Sequence, residues 1–305
     1  MTHHPTERAP FSLERALRLQ SITFILLSAA IISGGALLPR MGEQTELIIL
    51  AVLIVILGAP HGALDPIFAH RLYKISTRRA WLLFTTVYCL VAGLVVVIWF
   101  FTPFIFLCIF LIISVAHFSG DPLRGTLWST RLAHGGAIIA LPSLFYEQDI
   151  ARLLGFLTGP EAVGELSGQL AYIAPFWLIG MTVCVMLETR KSALRGAELF
   201  AVGLLAILAP PLIAFTIFFC GMHSARHILR TADYARVKEP YILAAAGLLP
   251  MAGVFAALTV AWFFMSDIQI DQSVIQIVFV GLAALTVPHM ALVERVRFSG
   301  WSRSL

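Results

Sequence analysis

Residues 211–230 read PLIAFTIFFCGMHSARHILR, an apolar run closed by Arg230 that carries His223 and His227 one helical turn apart. A helix of about 20 residues crosses a hydrocarbon core of ~30 Å. The stretch therefore reads as a membrane span with two imidazoles near one end. At this i, i+4 spacing their Cβ atoms lie about 6 Å apart on one face, close enough for both rings to reach one metal ion. The zinc-peptidase motif has a glutamate after its first histidine as general base; Ser224 stands there instead, so the pair can hold a metal but does not read as a peptidase.

The rest of the 305 residues is written in the same apolar style. Hydrophobic residues make up 59% and charged residues 12%, with mean hydropathy +0.89, against about 25% charged in soluble proteins. Apolar runs fall at about 19–38, 46–70, 80–101, 103–120, 130–145, 171–189, 196–209, 211–230, 241–264 and 272–293. The expected fold is an all-α polytopic membrane helix bundle of about ten segments, eight to ten counting the short ones, with a metal site in its core. The short fifth and seventh runs read as re-entrant or tightly buried. A polar tail, 1–17, carries His3 and His4, and a single transmembrane domain fills 18–305. No cleaved signal peptide is expected. Cys89, Cys108, Cys184 and Cys220 lie in apolar runs with no paired spacing, which argues against disulfides and thiolate zinc. The net charge of +4 is too small and scattered for a nucleic-acid partner.

Orientation follows from the basic residues. With ten segments, one set of alternate connections receives Arg8, Arg15 and Arg18; Arg71, Lys74, Arg78 and Arg79; Arg124 and Arg131; Arg190, Lys191 and Arg195; Arg230, Arg236 and Lys238; and Arg295, Arg297 and Arg303. The other set receives Arg40 and Arg152 alone. The imbalance places both termini in the cytoplasm of a cell with a multi-pass inner-membrane protein. His61, His117, His223, His227 and His289 then stand three to ten residues before Arg71, Arg124, Arg230 or Arg295. At 1.5 Å per residue these offsets are about 5–15 Å, so all lie in the cytoplasmic half, whereas chance would scatter them over both leaflets. Helices running in one direction with histidines at one depth can converge on a shared centre, and ionisable groups at membrane depth mark function.

Neutral imidazoles suit iron, copper, zinc or nickel rather than magnesium or calcium. Asp65 and Asp121 stand four residues after His61 and His117. Each either orients an imidazole and offsets the metal's charge, or serves the chain locally before Pro66 and Pro122. Arg226 is expected to point to headgroups or a carboxylate. His70 and His134 read as interfacial.

The blocks GAPHGALD (58–65), AHFSGD (116–121), LAHGGAIIALPSLF (132–145), CGMHSARH (220–227) and TVPHMALVE (286–294) resemble the Brp/Blh family. Its members are bacterial and archaeal membrane enzymes that cleave β-carotene at its central double bond with dioxygen, giving two molecules of retinal. The resemblance runs from about residue 45 onward. It implies Fe(2+) held by His61, His117, His223 and His227, with His289 in a supporting or substrate-pocket role. AHFSGD departs from the more usual HFG run by Ser119 before the glycine, which leaves His117 in place but alters the adjoining pocket. A carotenoid is an apolar rod about as long as the ~30 Å hydrocarbon core, so it reaches such a site from the lipid. Phe118, Phe218 and Phe219 are the aromatics nearest the histidines, as tunnel lining or as core, with Phe118 and Phe219 the candidate pocket residues. Implied partners are the carotenoid, dioxygen, membrane lipid and a rhodopsin that uses the retinal.

Other classes fit less well. Membrane di-iron desaturases need about eight clustered histidines and repeated HxxxH pairs, where this chain has a single such pair. A retinal-binding rhodopsin needs a lysine inside the bundle, but Lys74, Lys191 and Lys238 all fall in connections. A metal-ion or proton-coupled transporter using the same His and Asp groups remains the alternative.

Overall fold

Pro60 has no N–H to give to the carbonyl one turn back, and its ring crowds that turn. The span Glu43–Tyr73 is accordingly not one helix. It runs as α-helix from Glu43 to Leu53, widens to a π-helix over Ile54–Gly58, tightens to a 3-10 helix over Ala59–Leu64, and resumes as α-helix over Asp65–Tyr73. The span Pro211–Ala235 breaks in the same way, with a π-helix over Phe218–Ser224 between two α-helical pieces. The two irregular stretches clasp each other. Ser224 Oγ donates to the Leu57 carbonyl (2.7 Å) and the Gly58 carbonyl (3.1 Å), and Cys220 Sγ donates to the Leu53 carbonyl (3.6 Å). One break thus supplies donors for carbonyls that the other frees, as non-helical backbone at membrane depth requires. Gly58 permits the approach, since a Cβ there would overlap the Phe219 ring.

These features come from a computed structural model that describes residues 12–35, 42–123, 125–237, 239–265 and 268–296. Most of the expected polar tail, with His3, His4 and Arg8, lies outside the described residues, as do Arg40, Arg124, Lys238, Arg297 and Arg303. The first described helix starts at Leu13, with Ser12 Oγ accepting from Arg15 N.

Among the described residues every regular element is helical, and each of the ten expected apolar runs is built of one or more helical pieces. Seven helices are long and apolar enough to cross a membrane: Leu13–Gly34, Glu43–Tyr73, Arg78–Phe101, Gly164–Lys191, Pro211–Ala235, Pro240–Phe264 and Ile270–Val296. Seven is slightly below the eight to ten expected and consistent with it, since three further apolar runs are helical but shorter. The other three runs, Pro103–Phe118, Trp128–Ala140 and Ala193–Leu208, are shorter helices packed among the long ones. At least half the residues of the latter two are buried, so the fifth and seventh segments are enclosed by protein. An amphipathic helix, Glu147–Thr158, joins the fifth and sixth.

Small residues bring these short helices close. A Cβ on Gly135 would meet the Val115 and Ser119 backbone, and one on Gly136 would meet the Trp177 indole. Close approach of this kind is the main source of helix association in lipid, and here it sets the end of Pro103–Phe118, where His117 sits. Trp177 Nε1 also donates to the Ala133 carbonyl (3.0 Å).

The alternation of connections is visible at both ends. Arg152 pairs with Glu43 (2.9 Å) and Asp271 (3.4 Å), joining three connections on the basic-poor side. On the basic side Arg71 donates to the Ala235 carbonyl (2.7 Å), and Arg230 donates to the carbonyls of Gly120 (2.9 Å) and Asp121 (2.8 Å).

Candidate metal centre

The two breaks aim histidines at one point. His61 projects from the 3-10 turn, His223 from the π-helix, His227 from the α-helical turn after it, His117 from the end of Pro103–Phe118 and His289 from beside Pro288 in the last helix. All five are buried. Ring centroids lie 4.5 Å apart for His117 and His223, 4.8 Å for His61 and His223, 4.9 Å for His227 and His289, and 5.1 Å for His61 and His289. One ring nitrogen each from His61, His117 and His223 fall within 4.8 Å of one another, the spread of ligand atoms around a single ion.

The outward nitrogens are held. His61 Nδ1 donates to the Gly58 carbonyl (2.5 Å), His223 Nδ1 to both oxygens of Asp121 (3.0 Å each), and His289 Nδ1 to Asp65 Oδ1 (2.6 Å). A carbonyl or carboxylate only accepts, so these nitrogens carry the proton and Nε2 is left with its lone pair. His227 Nδ1 makes a longer 3.4 Å contact with Thr231 Oγ1. Among the described residues Nε2 of His223 and of His289 is buried without a hydrogen-bond partner. Leaving a buried polar atom unsatisfied costs about 1–3 kcal/mol. Several lone pairs turned onto one small volume, each backed by a carbonyl or carboxylate, match the donor set of a divalent transition metal and the outer partners that tune it. The residues therefore fit a metal.

The carboxylates differ from the simplest expectation. Asp65 serves His289, 224 residues away, rather than His61, and also accepts from Tyr88 Oη (2.8 Å). Asp121 serves His223, 102 residues away, rather than His117 or a local turn. Burial alone would raise the Asp121 carboxyl, but the His223 ring and its hydrogen bond, with His134 and Arg230 beyond, hold it at about 2. His289 stands as near the centre as His227 does, with ring centroids 5.1 and 5.3 Å from that of His61.

Of the two partners expected for Arg226, headgroups or a carboxylate, it takes the carboxylate. It is fully buried and forms a two-pronged pair with Glu198 (3.0 and 2.6 Å), and it also donates to Gln20 Oε1, Ser21 Oγ and the Asp121 carbonyl. One guanidinium thus ties the first helix, Ala193–Leu208 and the 119–127 connection behind His223. His134 is also not interfacial: it is buried with its ring against Phe218. His70 is exposed, as its place beside Arg71 suggested. The Arg226–Glu198 pair and the Tyr88 contact carry no local sequence signal, since each partner is ordinary for its own segment.

On one side the histidines open into an apolar cavity. His117, Phe118 and Phe219 line its near end with Ser114 and Thr286, and leucines, isoleucines and phenylalanines line the rest. Phe219 also stacks on His223 at 5.6 Å, and Phe118 meets the same ring edge-on at 4.9 Å.

The family described as beta-carotene 15,15'-dioxygenase matches residues 52–296. A beta-carotene 15,15'-dioxygenase of uncultured marine bacterium 66A03 is 32% identical over 254 residues, covering 79% of this chain and 90% of the relative. The probable beta-carotene 15,15'-dioxygenase Blh of Halobacterium salinarum is 27% identical over 330 residues, covering 94% of each. No solved structure matches.

Proposed function

Because this chain belongs to the beta-carotene 15,15'-dioxygenase family, we propose that it cleaves β-carotene or a related carotenoid at the central double bond with dioxygen, giving two molecules of retinal. The observation that carries the reading is His117, which belongs at once to the three-nitrogen cluster and to the wall of the apolar cavity. A metal there faces a rod-shaped apolar guest.

The proposed metal is iron(II), held by His61, His117, His223 and His227, with His289 facing the same point. When bound it supplies the activation of dioxygen that a carbon–carbon double bond needs. Gly58, Asp65 and Asp121 keep the ring protons on Nδ1 and turn Nε2 inward. Phe118 and Phe219 flank the polyene, and the apolar wall keeps water away from it. The double bond breaks entirely and each of its carbons takes one oxygen atom of dioxygen as a carbonyl. No side chain acts as nucleophile. The protein is proposed to sit in the inner membrane with both termini cytoplasmic, as the basic connections imply. A rhodopsin that binds retinal is the proposed consumer of the product.

Expression in a β-carotene-accumulating host tests this. Loss of colour with extractable retinal is expected, together with iron at one per chain in the purified protein. Unchanged β-carotene with the protein present in the membrane refutes the activity. Stoichiometric zinc without iron in active protein refutes the metal.

A further inference from the structure

The apolar cavity runs from the histidines along two helices. Along Pro103–Phe118 it is lined by Leu107, Leu111, Ser114 and His117, spaced as one face of a helix, and along the last helix by Ile275, Phe279, Leu282 and Thr286. From His117 to Leu107, and from Thr286 to Ile275, the helical rise of 1.5 Å per residue gives about 15–17 Å. A rod as long as the ~30 Å hydrocarbon core has a half-length of about 15 Å. The polar lining, Ser114, His117 and Thr286, stands at the histidine end, and the far end is wholly apolar.

The far wall is the amphipathic helix Glu147–Thr158, whose inner face presents Ile150, Leu153, Leu154 and Leu157 to the cavity. That helix is tied down from several sides. Trp99 Nε1 donates to the Leu157 carbonyl (2.9 Å), Gln276 Nε2 to the Phe156 carbonyl (2.6 Å), and Arg152 pairs with Glu43 and Asp271. A floor this firmly anchored is suited to stopping a rigid guest at one depth.

We infer that Leu154 and Leu157 on this helix are the stop against which one carotenoid arm seats, and that the depth of the stop decides which double bond reaches the histidines. The inference rests on the proposed carotenoid cleavage. With the floor at about half a carotenoid's length, the central bond lies at the centre and the two products are equal. A deeper floor lets the arm slide inward by one conjugated repeat. The neighbouring double bond then breaks instead, and because one of its carbons bears a methyl group, the products are an aldehyde longer than retinal and a ketone shorter than it. Both oxygen atoms of dioxygen still end in the two carbonyls.

The test is product analysis of full-length protein in membranes with β-carotene, together with metal content. Leu154→Ala deepens the floor, Leu157→Phe raises it, and Arg152→Ala loosens it from outside the cavity. Each is expected to raise the share of the unequal pair by roughly tenfold over the parent protein, the scale on which a missing or added methylene changes discrimination in an apolar pocket, with the smallest shift for Arg152→Ala. Retinal alone from variants that hold parental metal overturns the inference, as does an equal loss of all products at parental metal content. Failure of the parent protein to cleave any carotenoid instead refutes the proposed function beneath it. The surface variant Arg152→Ala keeps the test decisive should either cavity variant fail to accumulate.

Discussion

The spans Glu43–Tyr73 and Pro211–Ala235 are broken and central, while Arg78–Phe101 and Pro240–Phe264 are regular and peripheral. In the broken pair 44% and 50% of the most apolar stretch is buried, against 6% and 11% in the regular pair. The broken spans carry His61, His223 and His227, and the regular ones carry no histidine. Proline alone does not explain the contrast. Pro250 sits inside Pro240–Phe264 without breaking it, and the π-helix Phe218–Ser224 contains no proline. Freed carbonyls are tolerated at membrane depth where a neighbour supplies donors, and Ser224 and Cys220 supply them to the other broken span. π-helical turns concentrate at functional sites because they re-aim side chains. Three of the five clustered histidines, His61, His223 and His227, thus come from the two spans whose irregular backbones satisfy each other.

The sharpest way to break this comparison is at its centre. His223→Ala should reduce retinal formation below detection and release bound metal, measured by product extraction and elemental analysis side by side. Normal turnover with full metal would separate the breaks from the chemistry.

Next in size is the support behind the broken spans. Arg226→Ala leaves Glu198 buried and unpaired, and removing one partner of a buried pair costs about 3–5 kcal/mol. The variant should unfold at a markedly lower temperature in detergent. The double change Arg226→Met with Glu198→Leu should recover much of the loss, since an apolar pair of similar volume carries no unpaired charge.

A smaller effect is expected from Asp121→Asn, which keeps the shape but removes the charge behind His223. Outer partners of metal-binding histidines are worth about 10–100-fold in affinity or activity, so metal titration should show weaker binding with the fold intact. Least of all should be felt in the regular spans. Leu249 is 82% exposed in Pro240–Phe264, and Leu249→Ala should stay within about 0.5 kcal/mol of the parent with unchanged turnover. A large loss there would mean that the smooth helices are more than a lipid-facing shell.

Composition and spacing by themselves determined the solvent, the helical class and the shared depth of the five histidines, because apolar length and basic flanks act locally on each segment. The ten apolar runs were readable for the same reason, although three of them proved to be short helices packed among the long ones. Tertiary structure alone decided which carboxylate serves which ring. Asp65 and Asp121 are four residues from His61 and His117, yet they bind His289 and His223. The 3-10 turn and the helix end turn those carboxylates away from the near histidines, and helix packing brings the distant rings to them. His134 illustrates the same limit: beside Gly135 and Gly136 it reads as a surface residue, but those glycines draw its helix against Val115, Ser119 and Trp177 and bury the ring. For Arg226 spacing left headgroups and a carboxylate equally open, and only packing brought Glu198, from another helix, within 2.6 Å. Sequence spacing reports neighbours along one helix, whereas burial and pairing between helices depend on how close their backbones come, and that distance is set by residues on both partners at once.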